Sequence, residues 1–348
     1  MSKKLKWGVI GSGGIAKRRT IPEGISEAQN AELSIVFDIN QQLNAEVAGK
    51  YGAKQAASIS ELLDGDSDAI YVATPTHVHA KHVRACAKAG KHVLCEKPLG
   101  TTVAEAEEMV GLCQQSGIKL GCAFMMRLSA QHQKALRLIK EGKLGQAVYA
   151  RAQLSCWYPP IKGSWRQEPA TGGGGALIDM GGHCIDLLEM FFGKVIRVSC
   201  FINNTIHGYK SEDSATVMLF FENGALGTID TFFCIPDNSS KNALELYGSK
   251  GSILAKGTIG QAPAGQMMAF LGQDSKDYDG QQVRMEAQGM TIDPEPVNTY
   301  QAEIEEFSQA VIDDRVPAIS GELGLQSQKV LAACYESAKS GKATEVSC

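Results

Sequence analysis

Leu5-Lys6-Trp7-Gly8-Val9-Ile10-Gly11-Ser12-Gly13-Gly14-Ile15-Ala16 decides the fold. Trp7 to Ile10 suits a buried strand, and the residues after the glycines suit a helix to about Ala28, disturbed in its middle by Pro22. Gly11 allows a tight turn out of the strand, and Gly13 lets backbone approach a pyrophosphate. Ala16 permits close helix–strand packing, and the helix N-terminus stabilises phosphate charge. Gly14 and Ile15 complete this candidate cradle. A lone G-x-G-x-x-A also fits an ordinary strand-to-helix turn, so context decides. Here a strand precedes, a helix follows, and an acid ends the next strand.

That acid is Asp38, after the apolar Leu33–Phe37. It lies further on than the usual spacing of about 20 residues. A carboxylate there accepts hydrogen bonds from the adenosine ribose diol and repels a 2′-phosphate. No Lys or Arg follows before Lys50, so NAD is expected over NADP, which stays possible. Lys17, Arg18 and Arg19 lie near the pyrophosphate position and read as a solvated helix face.

Outward from this motif the chain alternates strand-like and helix-like runs to about residue 124. Gln41–Tyr51, His77–Ala89 and Thr102–Ser116 read as helices. Ala69–Ala73, His92–Cys95 and Lys119–Phe124 read as strands. This rhythm predicts a doubly wound parallel sheet. Beyond Met125 it changes. After a helix over Ser129–Glu141 come longer strands, at Ala147–Cys156, Val195–Ile206, Ala215–Phe221, Ala225–Phe233 and Ala243–Leu254. Such a run predicts a large, mostly antiparallel open sheet in an α/β second domain. Residues 258–292 read as a loop-rich insertion, and Thr299–Ile312 and Leu323–Lys339 as closing helices. The expected domains are 1–124 for the dinucleotide and 125–348 for substrate and oligomerisation.

The bulk composition excludes several classes. The 348 residues exceed one ordinary core, and 44% hydrophobic with 21% charged residues fits a globular protein. A net charge of −4 gives no basic surplus for nucleic acid or an anionic membrane. No apolar stretch reaches the roughly 18 residues of a membrane span, and no signal peptide is visible. Ten scattered cysteines without C-x-x-C spacing suggest reduced thiols in a cytoplasmic protein, with no metal site.

Two constellations carry chemistry. Glu96-Lys97-Pro98 ends the His92–Cys95 strand and places a lysine at the ligand-binding edge, where an ammonium can stabilise a developing alkoxide or pass a proton. Alternatively it is a surface Lys-Pro loop. Gly172 to Gly193, GGGGALIDMGGHCIDLLEMFFG, reads as a glycine turn that brings backbone close to a ligand and leads to a helix, rather than as a linker. Asp179, His183 and Asp186 then share one face, with Gly181-Gly182 placing Asp179 just before the helix. His183 is a candidate base, or a core histidine. His77, His79 and His82 look like a metal set, but side chains at i and i+2 diverge on a helix. His79 is expected to line the cofactor crevice. Arg127 and the Trp165-Arg166 pair are candidates for anion or substrate contact, or for packing.

The residues resemble the glucose–fructose oxidoreductase, inositol dehydrogenase and rhizopine catabolism (Gfo/Idh/MocA) family. The matching stretches are WGVIGSGGIA, DAIYVATPTHVHAKHVRACAKAGKHVLCEKPLG, the glycine-to-histidine block, LELYGSKGSI and EIEEFSQAVIDDRVPAISGELGL. The resemblance implies a Rossmann domain, a C-terminal α/β domain, and a homodimer or homotetramer through the second sheet. It implies NAD(P)-dependent oxidation or reduction at a sugar, polyol or cyclitol carbon. Its Glu-Lys-Pro lysine maps to Lys97, and its Asp and His to Asp179 and His183. Its cofactor segment maps to Thr74, Pro75 and His79, with Thr76 replacing the usual asparagine. Its Trp-Arg pair maps to Trp165 and Arg166, near the nicotinamide. Together with Glu96 these complete the expected cofactor contacts; Lys97, Arg127, Asp179 and His183 are the expected substrate contacts. The expected reaction has His183 removing a hydroxyl proton while Lys97 stabilises the alkoxide, with exchanged roles open. The alternatives are glycoside cleavage through a transient 3-keto sugar, a carbonyl reductase, and a non-catalytic NAD or sugar sensor.

Overall fold

The computed structural model describes residues 4–272, 280 and 288–347. The first sheet contains β1 (Leu5–Ile10), β2 (Ala31–Phe37), β3 (Lys54–Gln55), β4 (Ala69–Val72), β5 (His92–Cys95) and β6 (Leu120–Cys122). Their order is β3-β2-β1-β4-β5-β6, with every neighbouring pair parallel. This is the expected doubly wound sheet. The order reverses beside β1, and ligands bind beyond the carboxyl ends of the strands at that point. β1 and β4 are buried almost throughout, which suits strands covered on both faces.

The first helix, Ala16–Ile25, contains Pro22 and is wound as a π-helix. Ser26 N donates to Ile21 O at 3.0 Å, five residues back. Proline cannot donate the bond an α-helix needs, and the wider winding absorbs the disturbance. Helices Gln41–Tyr51, His79–Lys88 and Val103–Gln115 fall where periodicity places them, two of them capped by Asn40 and Thr102 side chains.

The second sheet contains β7 (Ala147–Ser155), β8 (Val195–Asn203), β9 (Ser214–Phe221), β10 (Leu226–Phe232), β11 (Ala243–Gly248), β12 (Gly251–Lys256), β13 (Gln266–Leu271), β14 (Met290–Thr291) and β15 (Thr344–Glu345). Its order is β14-β13-β12-β11-β7-β10-β9-β8-β15. Only the β7–β10 pair is parallel. Along β9 and β10 buried and more exposed residues alternate, so one face joins the core and the other stays open. Helices Ala130–Lys140, Gly182–Phe192 and Gly321–Ser340 contribute to that core.

Three local expectations change. Ala243–Leu254 is not one strand: Gly248-Ser249-Lys250-Gly251 reverses the chain into the β11–β12 hairpin. Residues 258–292 hold β13 and β14, while 273–279 and 281–287 lie outside the described residues. β3, β15 and helix Ile59–Leu63 are too short to show periodicity.

The C-terminal helices return to the first sheet. Trp7 Nε1 donates to Ser308 Oγ at 3.0 Å, and the Trp7 and Phe307 rings lie 5.5 Å apart. Cys122 N donates to Ile319 O at 2.8 Å. Among the described residues no helix is long and apolar enough to cross a membrane. The nine described cysteines are all free thiols.

Candidate active site

A cleft of about 900 Å³ runs along the carboxyl ends of the first sheet and reaches the ends of β7 and β10. At one end lies the glycine turn. Gly11 has φ +88° and so close a neighbour that a Cβ would sit 2.8 Å from Ala73 O. Gly13 N donates to Asp38 Oδ2 at 3.0 Å, while Asp38 Oδ1 accepts from Asn40 N at 2.9 Å. The acid therefore fixes the turn as well as facing the cleft. A Cβ on Gly14 would meet nothing within 4 Å, so the turn is open on that side. Gly11, Gly13, Gly14, Ile15, Asp38, Thr74 and Pro75 all line the cleft. A backbone cradle with room beside it and an acid beyond it fits a dinucleotide. Lys17 and Arg19 pair with Glu46 and Glu23, but Arg18 lines the cleft, contrary to a purely solvated face.

Midway, Lys97 and His183 enter from the two sheet systems. Lys97 Nζ donates to Asp179 Oδ1 at 2.7 Å and to Asp179 O at 2.9 Å. Their side chains are 12% and 17% exposed. Burial alone raises the Asp179 pKa, but Lys97 and Arg166 outweigh it and hold the carboxyl well below the usual range. His183 is buried, and burial together with Lys97 pushes its pKa well below the ordinary value. The imidazole is therefore neutral at neutral pH, and its buried Nδ1 has no hydrogen-bond partner. Glu96 is half-buried. It accepts from the Tyr71 hydroxyl and from Lys97 N, while Thr20 Oγ1 donates to the Tyr71 oxygen at 3.0 Å.

The glycine block owes its composition to crowding. Gly175 N and Leu177 N donate to Glu212 Oε1 at 2.8 and 3.0 Å, and Ala176 N donates to Glu212 O at 3.0 Å. A Cβ on Gly175 would lie 1.9 Å from Glu212 O. Asp179 N then bonds to Gly175 O at 3.1 Å, so Asp179 lies inside a helical turn, Leu177–Gly181, instead of before the helix. Gly181 and Gly182 continue that turn into Gly182–Phe192.

Other candidates go elsewhere. Arg127 donates from Nε to Asp186 Oδ1 at 2.6 Å and does not line the cleft. Asp186 is 2% exposed and needs that partner. Substrate contact is thus corrected to a structural ion pair for Arg127. His79 does not line the cleft either; its two nitrogens face Pro98 O and Thr74 O at 3.0 and 2.8 Å, which ties Thr74 to the Lys97-Pro98 turn. His77 and His82 do line the cleft. Among the described residues no group of three or more His, Cys, Asp or Glu is arranged to hold a metal ion. Arg166 stacks 4.2 Å from the Trp165 ring and reaches Asp179 at 3.4 Å, so packing and charge contact coexist.

Sequence reasoning missed Tyr300 and Glu303, which line the cleft from helix Thr299–Ile312. The available signal was a glutamate on the same face as Tyr300, Ile304 and Phe307. It also missed Asp237, which opens the short 3-10 helix Asp237–Ser239, and Asn242, in the loop after it.

Residues 5–124 match the oxidoreductase family with an NAD-binding Rossmann fold, and residues 132–254 match the GFO/IDH/MocA C-terminal domain. The chain belongs to the Gfo/Idh/MocA oxidoreductase family. It is 28% identical over 345 residues to a 1,5-anhydro-D-fructose reductase of Ensifer adhaerens, covering 98% of each chain. It is 30% identical over 253 residues to a trans-1,2-dihydrobenzene-1,2-diol dehydrogenase of Mus musculus, covering 71% of this chain and 73% of that one. In fold it matches a levoglucosan dehydrogenase in complex with NADH and levoglucosan, with a TM-score of 0.87 at 24% identity over 99% of this chain and 100% of that one. As a Gfo/Idh/MocA member the chain is an NAD(P)-dependent oxidoreductase, and its glycine cradle is where such a cofactor fits.

Proposed function

We propose that the chain oxidises a hydroxyl of a small, uncharged, cyclic polyhydroxy compound, a sugar, polyol or cyclitol, with NAD⁺. The observation that carries this reading is the Lys97–Asp179 pair beside a neutral His183 in the cleft that begins at the glycine turn. When bound, NAD⁺ supplies the hydride acceptor. His183 takes the hydroxyl proton, because a neutral buried imidazole can accept it. The Lys97 ammonium, fixed by Asp179, stabilises the oxygen as it becomes an alkoxide. Asp179 orients the ammonium and a neighbouring hydroxyl. Trp165 and Arg166 wall the cleft. Residues 1–124 then carry the cofactor, and 125–348 the substrate and subunit contacts.

The substrate class follows from charge. Lys97 and Arg166 both already face Asp179, and Asp237 adds negative charge to the lining. The relatives named above act on anhydro sugars and a cyclic diol, which is the same chemical class. Asp38 would accept the ribose diol and oppose a 2′-phosphate, which supports NAD over NADP. A panel of sugars, anhydro sugars, inositols and cyclic diols, each run with NAD⁺ and NADP⁺ and read at the NADH absorbance, tests this. The expected result is turnover of at least one uncharged cyclic substrate with NAD⁺ preferred by about tenfold or more in kcat/KM. No turnover in either direction, or a preference for NADP⁺, would sink it.

The open face of the second sheet supports a homodimer or homotetramer. Phe201 is 79% exposed and Met218 58%, an unusual outlay of apolar surface on neighbouring strands. Light scattering is expected to give a dimer or tetramer, and Phe201→Glu to shift it toward monomer. A wild-type monomer at micromolar concentration would contradict this arrangement.

A further inference from the structure

We propose that Glu303 is the hydrogen-bonding partner of the cofactor's nicotinamide carboxamide. Glu96 and Glu303 both line the cleft, and their hydrogen bonding differs. Glu96 has donors on both oxygens, from the Tyr71 hydroxyl and from Lys97 N. Glu303 is 1% exposed, and its Oε1 has no hydrogen-bond partner. A buried carboxyl oxygen without a donor is costly, so a ligand that supplies one is strongly favoured at that position.

The surroundings identify the ligand group. Burial, with Glu96, Glu306 and Asp186 nearby, pushes the Glu303 pKa well above the usual carboxylate range, which favours the neutral acid. A neutral acid offers one acceptor and one donor on adjacent oxygens. A primary carboxamide offers the complement, an N–H donor and a carbonyl acceptor, so the two can pair through two hydrogen bonds without burying a charge. Glu303 lies one turn from Tyr300 on helix Thr299–Ile312, and both line the same cleft as Lys97 and Glu96. Glu303 lies close enough to Glu96 for the two carboxyls to interact, so it stands beside the Lys97 turn, where the reactive half of a dinucleotide belongs. The inference concerns the cofactor alone and is independent of the substrate proposed above.

The test is binding, not turnover. Dissociation constants are measured by calorimetry for NAD⁺, for 3-acetylpyridine adenine dinucleotide and for ADP-ribose. The second replaces the carboxamide N–H₂ by a methyl group; the third lacks the ring. Wild type is expected to bind NAD⁺ about tenfold more tightly than the acetylpyridine analogue. Glu303→Leu is expected to erase that preference and leave ADP-ribose affinity unchanged. Glu303→Gln, which keeps an acceptor and a donor, is expected to keep it. The proposal fails if wild type shows no preference, a result that needs no variant. It also fails if Glu303→Leu retains the preference, or weakens ADP-ribose as much as NAD⁺. Failure of wild type to bind any of the three would instead strike at the dinucleotide site itself.

Discussion

Lys97→Met is expected to lower kcat/KM by about 10³-fold, equivalent to about 4 kcal/mol of transition-state stabilisation, while NAD⁺ binding changes far less. The methionine keeps the length and packing of the side chain and removes only its charge and donors. In the parent the ammonium is held by two bonds to Asp179, one to Oδ1 at 2.7 Å and one to the backbone oxygen at 2.9 Å. It is thus placed before the oxygen of the substrate develops charge. A preorganised donor in a desolvated site gains its full value at the transition state, because nothing has to reorganise. A variant within tenfold of wild type would show that the alkoxide is stabilised by something else.

The same substitution carries a second readout with a defined sign. Burial and the Lys97 charge both depress the His183 pKa, and Asp179 only partly opposes them. A base whose pKa is lowered keeps its proton-accepting form down to lower pH. The acid limb of kcat/KM in wild type is therefore expected well below pH 6.5, with a flat profile through neutrality. Without Lys97 one depressing charge is gone, and the limb of the residual activity is expected to move up toward pH 6.5. A limb that stays in place would remove His183 from the proton transfer.

Legibility followed how local the governing rule is. Gly11, Gly13, Asp38 and Lys97 all sit at strand ends, and strand ends are set by short apolar runs and the turns after them. Once the parallel order is right, those residues share an edge whatever the rest of the chain does. Asp186 shows where helical arithmetic runs out. It shares a face with Asp179 and His183, but nearly two turns along that face leads from the cleft into the core, where Arg127 neutralises it. Both residues looked like site chemistry because a buried ion pair and a binding pair have the same composition. Glu303 is the converse. Its helix begins more than 200 residues after Lys97 in sequence and reaches the cleft only because the chain returns to the first sheet, through Trp7, Ser308 and Phe307, after building the second. No local pattern encodes that return. The four glycines read as backbone brought close to a ligand; the approach is instead to Glu212, in a separate loop that no local pattern links to them.

Gly175→Ala is expected to destabilise the fold by roughly 3–5 kcal/mol, read as a fall in Tm on the order of 10 °C at fixed scan rate. The added Cβ would lie 1.9 Å from Glu212 O and 2.9 Å from Glu212 C. Those are backbone atoms, so no rotamer change relieves the clash. At Gly174 the nearest atom is the Tyr335 hydroxyl, the far end of a side chain, and the same substitution is expected to cost less. Moving Glu212 away also breaks its bonds from Gly175 N, Leu177 N and the Tyr335 hydroxyl. A buried acid losing its donors adds a desolvation penalty to the steric one. Because Asp179 N hangs on Gly175 O, the damage reaches the ion pair with Lys97. Activity measured well below the new Tm is therefore expected to fall as well, beyond what the unfolded fraction explains. Gly49→Ala is the control: it lies in helix Gln41–Tyr51 with nothing within 4 Å of its Cβ position, and is expected to be neutral or stabilising by up to about 1 kcal/mol. A Gly175→Ala protein with the Tm and turnover of the control would mean that the Glu212 loop yields freely and does not set the position of Asp179.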